Sequence, residues 1–305
     1  MSIINMEKDS EEIKRTSEIE EFTNLYIIHP ISSWLVPQFI KLNITPNMVS
    51  SFGMLCGLLA GVCYYYYQSP MFAVLGFALM FMWHVFDGAD GQLARVTQNF
   101  SEIGKVIDGV CDYVTFISVY VGLSLALAPI MGNQIWYISI FAGLCHAIQS
   151  GAYELQRSEY DFWGKGKENA DLPNINTMIE EGRQKGALGQ IANQLHIGYI
   201  RMQYAFSGVD NTFRRSLKEV LTLAPEKEPE IRALYRELYS PAVNSWAIQC
   251  ANYRTFAVFV TSIIGEPVYY FLFEIFALNI ALIFLVQKQK LLNNLFTLRL
   301  KEIIK

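Results

Sequence analysis

Six apolar runs, each about as long as a bilayer is thick, constrain this chain more than any other feature of its sequence. Each is close to the ~20 residues that a helix needs to cross about 30 Å of hydrocarbon. Of the 305 residues, 52% are hydrophobic and only 17% are charged, which argues against one large soluble domain. The sequence therefore predicts an all-α, polytopic membrane bundle of six transmembrane helices. They are expected at 47–66, 71–92, 104–128, 133–154, 244–264 and 267–287.

The segments around these runs are polar or interrupted. The start of the chain lacks the pattern of a cleaved signal peptide, and the proline-interrupted stretch that follows predicts an interfacial helix. A long polar segment between the fourth and fifth runs predicts a helical cytosolic insertion, with helices near 174–200, 210–223 and 230–239. The predicted domains are a polar leader (1–24), the interfacial helix with the first four spans (25–154), the insertion (155–243), the last two spans (244–287) and a basic amphipathic tail (288–305).

Lysine and arginine occur on only one set of the connections between these runs. The links near 68–70, 129–134 and 265–267 contain neither residue, whereas Arg95, Lys105 and Lys288 lie on the other side. The positive-inside rule therefore predicts that both termini and residues 87–112 are cytoplasmic.

Composition argues against nucleic-acid binding and against structures built on cysteine. The formal net charge is -4 and no basic run is present, which argues against nucleic-acid binding. The five cysteines lie in apolar runs without CxxC spacing, so neither a disulfide framework nor a zinc site is expected.

Four aspartates lie where the second apolar run ends and the third begins. Asp87 and Asp90 are three residues apart, and Asp108 and Asp112 are four apart, so each pair shares one face of a helix. Gly91 and Ala94 continue the first stripe and Gly104 begins the second. A charge at membrane depth costs at least ~2.5 kcal/mol, so four carboxylates together predict bound cations and a function.

The chemistry of this cluster points to phosphate. Carboxylates a few ångströms apart raise one another's pKa and repel, and hard divalent ions such as Mg²⁺ or Mn²⁺ relieve that repulsion and also bind phosphate oxygens. Gly91 and Ala94 leave space beside the helix, and Arg95 offers a planar fork to a phosphate. The cluster therefore predicts a metal-dependent pyrophosphate site.

The spacing D-x2-D-G-x2-A-R-x8-G-x3-D-x3-D, complete here from Asp87 to Asp112, resembles the signature of the CDP-alcohol phosphotransferases. The resemblance implies a six-helix, usually dimeric core that holds two divalent ions. It assigns Asp87, Asp90, Asp108 and Asp112 to the metal site, and Asp112 also to the role of general base. The residues that it implies for the cytidine diphosphate pocket are Gly91, Ala94, Arg95 and Gly104, together with Asn47 and Ser50 from a matching Pro-Asn segment.

The resemblance further implies an integral membrane transferase of phospholipid or sphingolipid synthesis, which releases CMP. Two substrate arrangements stay open. A CDP-choline-like or CDP-ethanolamine-like donor reacts with a lipid alcohol, or CDP-diacylglycerol reacts with inositol phosphate, serine or glycerol phosphate. The length of the chain favours the first. A cation transporter is the alternative outside this chemistry, because intramembrane acids also mark ion paths.

Polar residues elsewhere in the spans have two interpretations. His146 and Arg254 lie on polar helical stripes that either line an acceptor pocket or bond across helices, as polar residues do in any membrane bundle. His84 lies one turn before Asp87 and is either a partner of the metal site or a hydrogen-bonded core residue.

Overall fold

The computed structural model describes residues 16–99, 102–171, 175–183 and 186–304, with side chains for all of them except 102–109, 169, 187 and 188. Every regular element in these residues is helical and none is a strand. The all-α prediction is therefore confirmed.

The chain divides into two compact units. The first carries the aspartate motif and is called the motif unit; it comprises Glu20–His146 and Ala251–Ala277. The second, the insertion unit, comprises the described part of Met1–Ile19 with Ala147–Cys250 and Leu278–Lys305.

Five helices make up the first half of the chain. They are α1 (His29–Lys41), α2 (Pro46–Tyr65), α3 (Pro70–Thr97), α4 (Glu102–Met131) and α5 (Gln134–Glu159). α1 corresponds to the predicted N-terminal helix, whose position at the membrane interface stays a prediction. α2 begins at Pro46 because Thr45 is extended and its hydroxyl accepts a hydrogen bond from the Met48 N–H at 3.4 Å.

The second half contains shorter helices. They are α6 (Ile175–Arg183), α7 (Ala187–Ser207), α8 (Asn211–Leu223), α9 (Glu228–Trp246), α10 (Ala251–Ile263), α11 (Val268–Leu272) and α12 (Leu278–Ile304), with a π-helical turn at Phe273–Ala277 between the last two. The one helix expected over 174–200 is two, because Gly186 precedes α7 with extended backbone angles (φ −62°, ψ 168°). α8 lies where the helix at 210–223 was predicted.

Four helical stretches in the described residues are long and apolar enough to cross a membrane: Pro46–Tyr65, Pro70–Thr97, Val110–Met131 and Val268–Ile304. The predicted count of six is not confirmed. The region expected as the fourth span is helical in α5, but its polar residues keep it outside this set. The expected fifth span is interrupted at Cys250, whose extended backbone (ψ 164°) follows a 3-10 turn. The 13 residues of α10 then reach only about 20 Å of the ~30 Å required.

Glycines bring α2 into close contact with α4 inside the motif unit. A Cβ added to Gly122 would lie 2.1 Å from the carbonyl oxygen of Gly61, and one added to Gly57 would lie 2.0 Å from Thr115 Oγ1. Small residues allow membrane helices to approach until their backbones touch. α2 packs on α3 as well, so it fixes both helices that carry the aspartate motif.

A buried ion pair crosses the same unit between α10 and the π-helical turn. Arg254 Nε lies 3.0 Å from Glu274 Oε1, and both side chains are 0% exposed. The neighbouring Thr255 hydroxyl lies 2.9 Å from His84 Nε2 on α3. Arg254 and His84 therefore both make contacts across helices. The sequence had left open that Arg254 bonds across helices and that His84 is a hydrogen-bonded core residue.

The insertion unit has an aromatic core of its own. Tyr235 and Tyr239 of α9 stack with ring centroids 4.1 Å apart, and Phe296 of α12 packs edge-on against both rings. Arg232 Nη1 donates to the carbonyl oxygens of Phe162 and Trp163 at 2.8 Å each, which ties α9 to the segment that follows α5.

Gly122→Ala is expected to destabilise the motif unit, because its methyl group would overlap the α2 backbone. Overpacking of this kind costs about 1–3 kcal/mol, and thermal unfolding in detergent measures it as a lower Tm. Gly143→Ala is the matched control, since its Cβ would meet only the Tyr120 ring, at 3.8 Å and 3.9 Å. Equal Tm values for the two variants would contradict the close α2–α4 contact.

Arg254→Met is expected to leave Glu274 as a buried, uncompensated charge, at a cost of about 3–5 kcal/mol. The double variant Arg254→Met/Glu274→Met removes both charges and should recover most of the lost Tm. A double variant that is less stable than Arg254→Met alone would show that Glu274 is held mainly by groups other than Arg254.

Candidate active site

α3 carries the first half of the aspartate motif as one uninterrupted helix. The helix continues to Thr97, five residues beyond the expected end of the second span. Asp87, Asp90, Gly91 and Ala94 therefore share one face, as their spacing predicted. Asp90 is only 7% exposed, whereas Asp87 is half-buried.

Ser50 of α2 holds the buried carboxylate. Its hydroxyl lies 2.5 Å from Asp90 Oδ2 and 3.2 Å from the Pro46 carbonyl oxygen. A hydroxyl that donates to a carboxylate fixes the orientation of that carboxylate. The resemblance implies that Ser50 lies at the nucleotide pocket, which stays a prediction; in the structure its hydroxyl contacts a predicted metal ligand.

The first turns of α4 approach the same part of α2. The Cys111 thiol donates to the Ser50 carbonyl oxygen at 3.5 Å, and the next residue is the half-buried Asp112. Ser50 thus makes two hydrogen bonds, one through its side chain and one through its backbone. Together they bring the two halves of the motif to one position on α2.

Gly104 and Asp108 lie in α4, two turns and one turn before Asp112. Their side chains are outside the described set, so the arrangement of all four carboxylates stays a prediction. The described side chains, which exclude Asp108, form no group of three or more metal-ligand types close enough to hold an ion. The donor set itself consists of carboxylate oxygens, which suits Mg²⁺ or Mn²⁺.

Arg95 lies on α3, and its side chain is beside Gly91. A Cβ added to Gly91 would be 3.4 Å from the Arg95 Nη1 atom, which is ordinary van der Waals contact. Glycine leaves room for the guanidinium to lie over the helix backbone. Ala94 is half-buried next to Arg95 and keeps that side of the helix narrow.

Asn47 lies in the first turn of α2, ahead of Ser50. Its backbone carbonyl accepts a hydrogen bond from the Ser51 hydroxyl at 2.8 Å. Its half-buried side chain makes no hydrogen bond with any residue that the structure describes. The predicted contact of Asn47 with a nucleotide therefore stays a prediction.

α1 packs against α3 and supports it. The sequence did not predict this contact. The Ser32 hydroxyl donates to the Val85 carbonyl at 2.8 Å, and a Cβ on Gly88 would come within 2.8 Å of that hydroxyl oxygen. The Ser33 hydroxyl donates to Gln92 Oε1 at 2.7 Å. Gly88 is the one signal in the sequence, since a glycine beside Asp87 indicates that another element approaches closely.

Part of the chain is similar to known proteins. Residues 43–168 match the family described as CDP-alcohol phosphatidyltransferase. Over 102 residues the chain is 30% identical to cholinephosphotransferase 1 of Rattus norvegicus, covering 31% of this chain and 25% of that protein. It is 32% identical to cholinephosphotransferase 1 of Danio rerio over 97 residues, which cover 30% and 25% of the two chains.

These matches span about a quarter of the length of the curated relatives. Residues 43–168 contain the whole aspartate motif together with Asn47 and Ser50, so the resemblance drawn from the motif is confirmed. This segment of the chain is therefore similar to a CDP-alcohol phosphatidyltransferase domain.

Proposed function

We propose that this protein is a membrane enzyme that transfers a substituted phosphate from a CDP-linked donor to a lipid alcohol and releases CMP. The observation that carries the proposal is the anchoring of both halves of the aspartate motif on Ser50 of α2, inside the segment that matches the family. The printed name of the relatives, cholinephosphotransferase, favours phosphocholine or a similar headgroup as the group transferred.

The proposed metal site consists of Asp87, Asp90, Asp108 and Asp112. These carboxylates would hold two Mg²⁺ or Mn²⁺ ions, which when bound offset the charge that develops on the transferred phosphate. The hydrogen bond from Ser50 orients Asp90 for this purpose. Metal ligands need such a second contact, and its removal typically lowers metal affinity by 10–100-fold.

The proposed chemistry needs one base and one phosphate clamp. Asp112 accepts the proton of the acceptor hydroxyl, whose oxygen attacks the donor's β-phosphorus. The bond from that phosphorus to the bridging oxygen breaks, and CMP leaves. Arg95 binds the diphosphate, while Gly91, Ala94 and Gly104 leave space for the cytidine end.

The proposed site lies at the cytoplasmic ends of α3 and α4, where a soluble nucleotide and a membrane lipid both have access. The distribution of lysine and arginine between the links supports this orientation, with both termini on the same side. Homodimer formation belongs to the same proposal, through the resemblance to the family.

Purified protein in lipid nanodiscs is expected to release CMP from CDP-choline or CDP-ethanolamine when diacylglycerol is present and Mg²⁺ or Mn²⁺ is added. Chelation of the metal should abolish release. A parallel panel with CDP-diacylglycerol and inositol phosphate, serine or glycerol phosphate tests the opposite substrate arrangement. Activity only in the parallel panel would reverse the assignment of donor, and none in either panel would reject the transferase.

Asp112→Asn is expected to lower the rate of CMP release by about 10²–10⁴-fold, because it removes the base. Glu266→Gln, an exposed acid of the same unit, is the control and should retain normal activity. Near-normal turnover of Asp112→Asn would remove this residue from the role of base.

Ser50→Ala is expected to raise the Mn²⁺ concentration needed for half-maximal binding by about 10-fold, since Asp90 loses its hydrogen bond. Electron paramagnetic resonance of free Mn²⁺ measures this directly, without turnover. Ser51→Ala is the matched control on the next residue, because the Ser51 hydroxyl bonds only the α2 backbone. Equal Mn²⁺ affinities in both variants would show that Ser50 does not support the metal site.

A further inference from the structure

A cavity of about 720 Å³ lies in the insertion unit and contains no residue of the aspartate motif. Its volume is in the range of about 300–1,000 Å³ that small-molecule sites occupy. Cationic side chains dominate the charged groups that line it. They are Arg201 of α7 and Arg214, Arg215 and Lys218 of α8, opposed within the lining by Asp171.

α8 directs its cations to this cavity through their spacing. Arg214, Arg215 and Lys218 follow Asn211, which also lines the cavity, by three, four and seven residues. Positions with these offsets share one face of a helix. The neighbouring face of α8 packs into the unit through Leu217, which is 1% exposed. The orientation of the helix is thereby fixed.

Arg214 is a fixed part of the cavity wall. Its Nε lies 2.9 Å from Glu159 Oε1, its Nη2 lies 2.9 Å from Asp171 Oδ1, and its Nη1 donates to the Tyr204 hydroxyl at 2.6 Å. Burial raises the pKa of Glu159 to about 6, although Arg214 opposes the shift. The ion pair with Glu159 keeps Arg214 in place.

The other cations leave the cavity with an excess of positive charge. Lys218 Nζ lies 3.7 Å from Asp171 Oδ2, but Arg201 and Arg215 are exposed and form no ion pair with a described residue. Four cations thus face two carboxylates, Asp171 and Glu159. Guanidinium groups bind phosphate in a bidentate manner, so a phosphate dianion matches both the excess charge and the donors.

We propose that this cavity binds a phosphate-bearing ligand through Arg201 and Arg215, with Lys218 as a third donor. A soluble phosphate compound and the headgroup of an anionic phospholipid share this chemistry. The proposal is independent of the transfer reaction, because it involves neither the aspartate motif nor a metal ion.

Equilibrium binding to the full chain tests the proposal with two probes in the presence of EDTA, which prevents metal-bridged binding at the aspartate motif. Radiolabelled pyrophosphate is added to protein in phosphatidylcholine nanodiscs, and phosphatidic acid binding is followed by native mass spectrometry in detergent. Arg201→Gln/Arg215→Gln is compared with Lys290→Gln/Lys301→Gln, two exposed cations of α12 in the same unit that lie outside the cavity lining.

Wild-type protein is expected to bind at least one probe saturably. The arginine variant should bind it about 100-fold more weakly, since each charge-assisted hydrogen bond contributes about 10-fold, and the lysine variant should bind it normally. Binding of pyrophosphate identifies a soluble ligand, and binding of phosphatidic acid alone identifies a lipid. Saturable binding of neither probe, or an equal loss in the two variants, would overturn the proposal.

Discussion

A carboxylate close to the hydrocarbon of a bilayer must be compensated, and the motif unit is built around that requirement. Asp90 is almost fully buried and accepts a hydrogen bond from Ser50, while Arg254 and Glu274 compensate each other deeper in the unit. A membrane-spanning helix tolerates a charged side chain only where a partner for that charge is held in place. Ser50 and Arg254 therefore have the same role: each compensates a buried carboxylate, Asp90 and Glu274 respectively.

α2 is the element that meets this constraint at the proposed active site. It contacts both α3 and α4, and the glycines at 57 and 61 let it approach α4 so closely that no side chain fits between the two backbones. Ser50 then reaches Asp90 with its hydroxyl and the segment of Cys111 and Asp112 with its carbonyl oxygen. The packing of small residues and the placement of the proposed site residues therefore both depend on α2.

The local parts of this arrangement could be predicted from the sequence, and the long-range parts could not. The stripe of Asp87, Asp90 and Gly91 depends only on the period of a helix, so spacing sufficed. The contact of Ser50 with Asp90 joins residues 40 positions apart, and the pairing of Arg254 with Glu274 depends on a π-helical turn, so neither leaves a periodic signal. The break at Cys250 was missed because no proline or glycine marks it.

The proposed reaction requires the aspartates of α3 and α4 to hold two divalent ions at one site. Anomalous diffraction from crystals grown with Mn²⁺ and a CDP-alcohol tests it most directly. Two peaks about 3.5–4 Å apart are expected, each about 2.1 Å from carboxylate oxygens of Asp87, Asp90, Asp108 or Asp112. Peaks elsewhere in the chain, or bound CDP-alcohol with no ion at these aspartates, would contradict it.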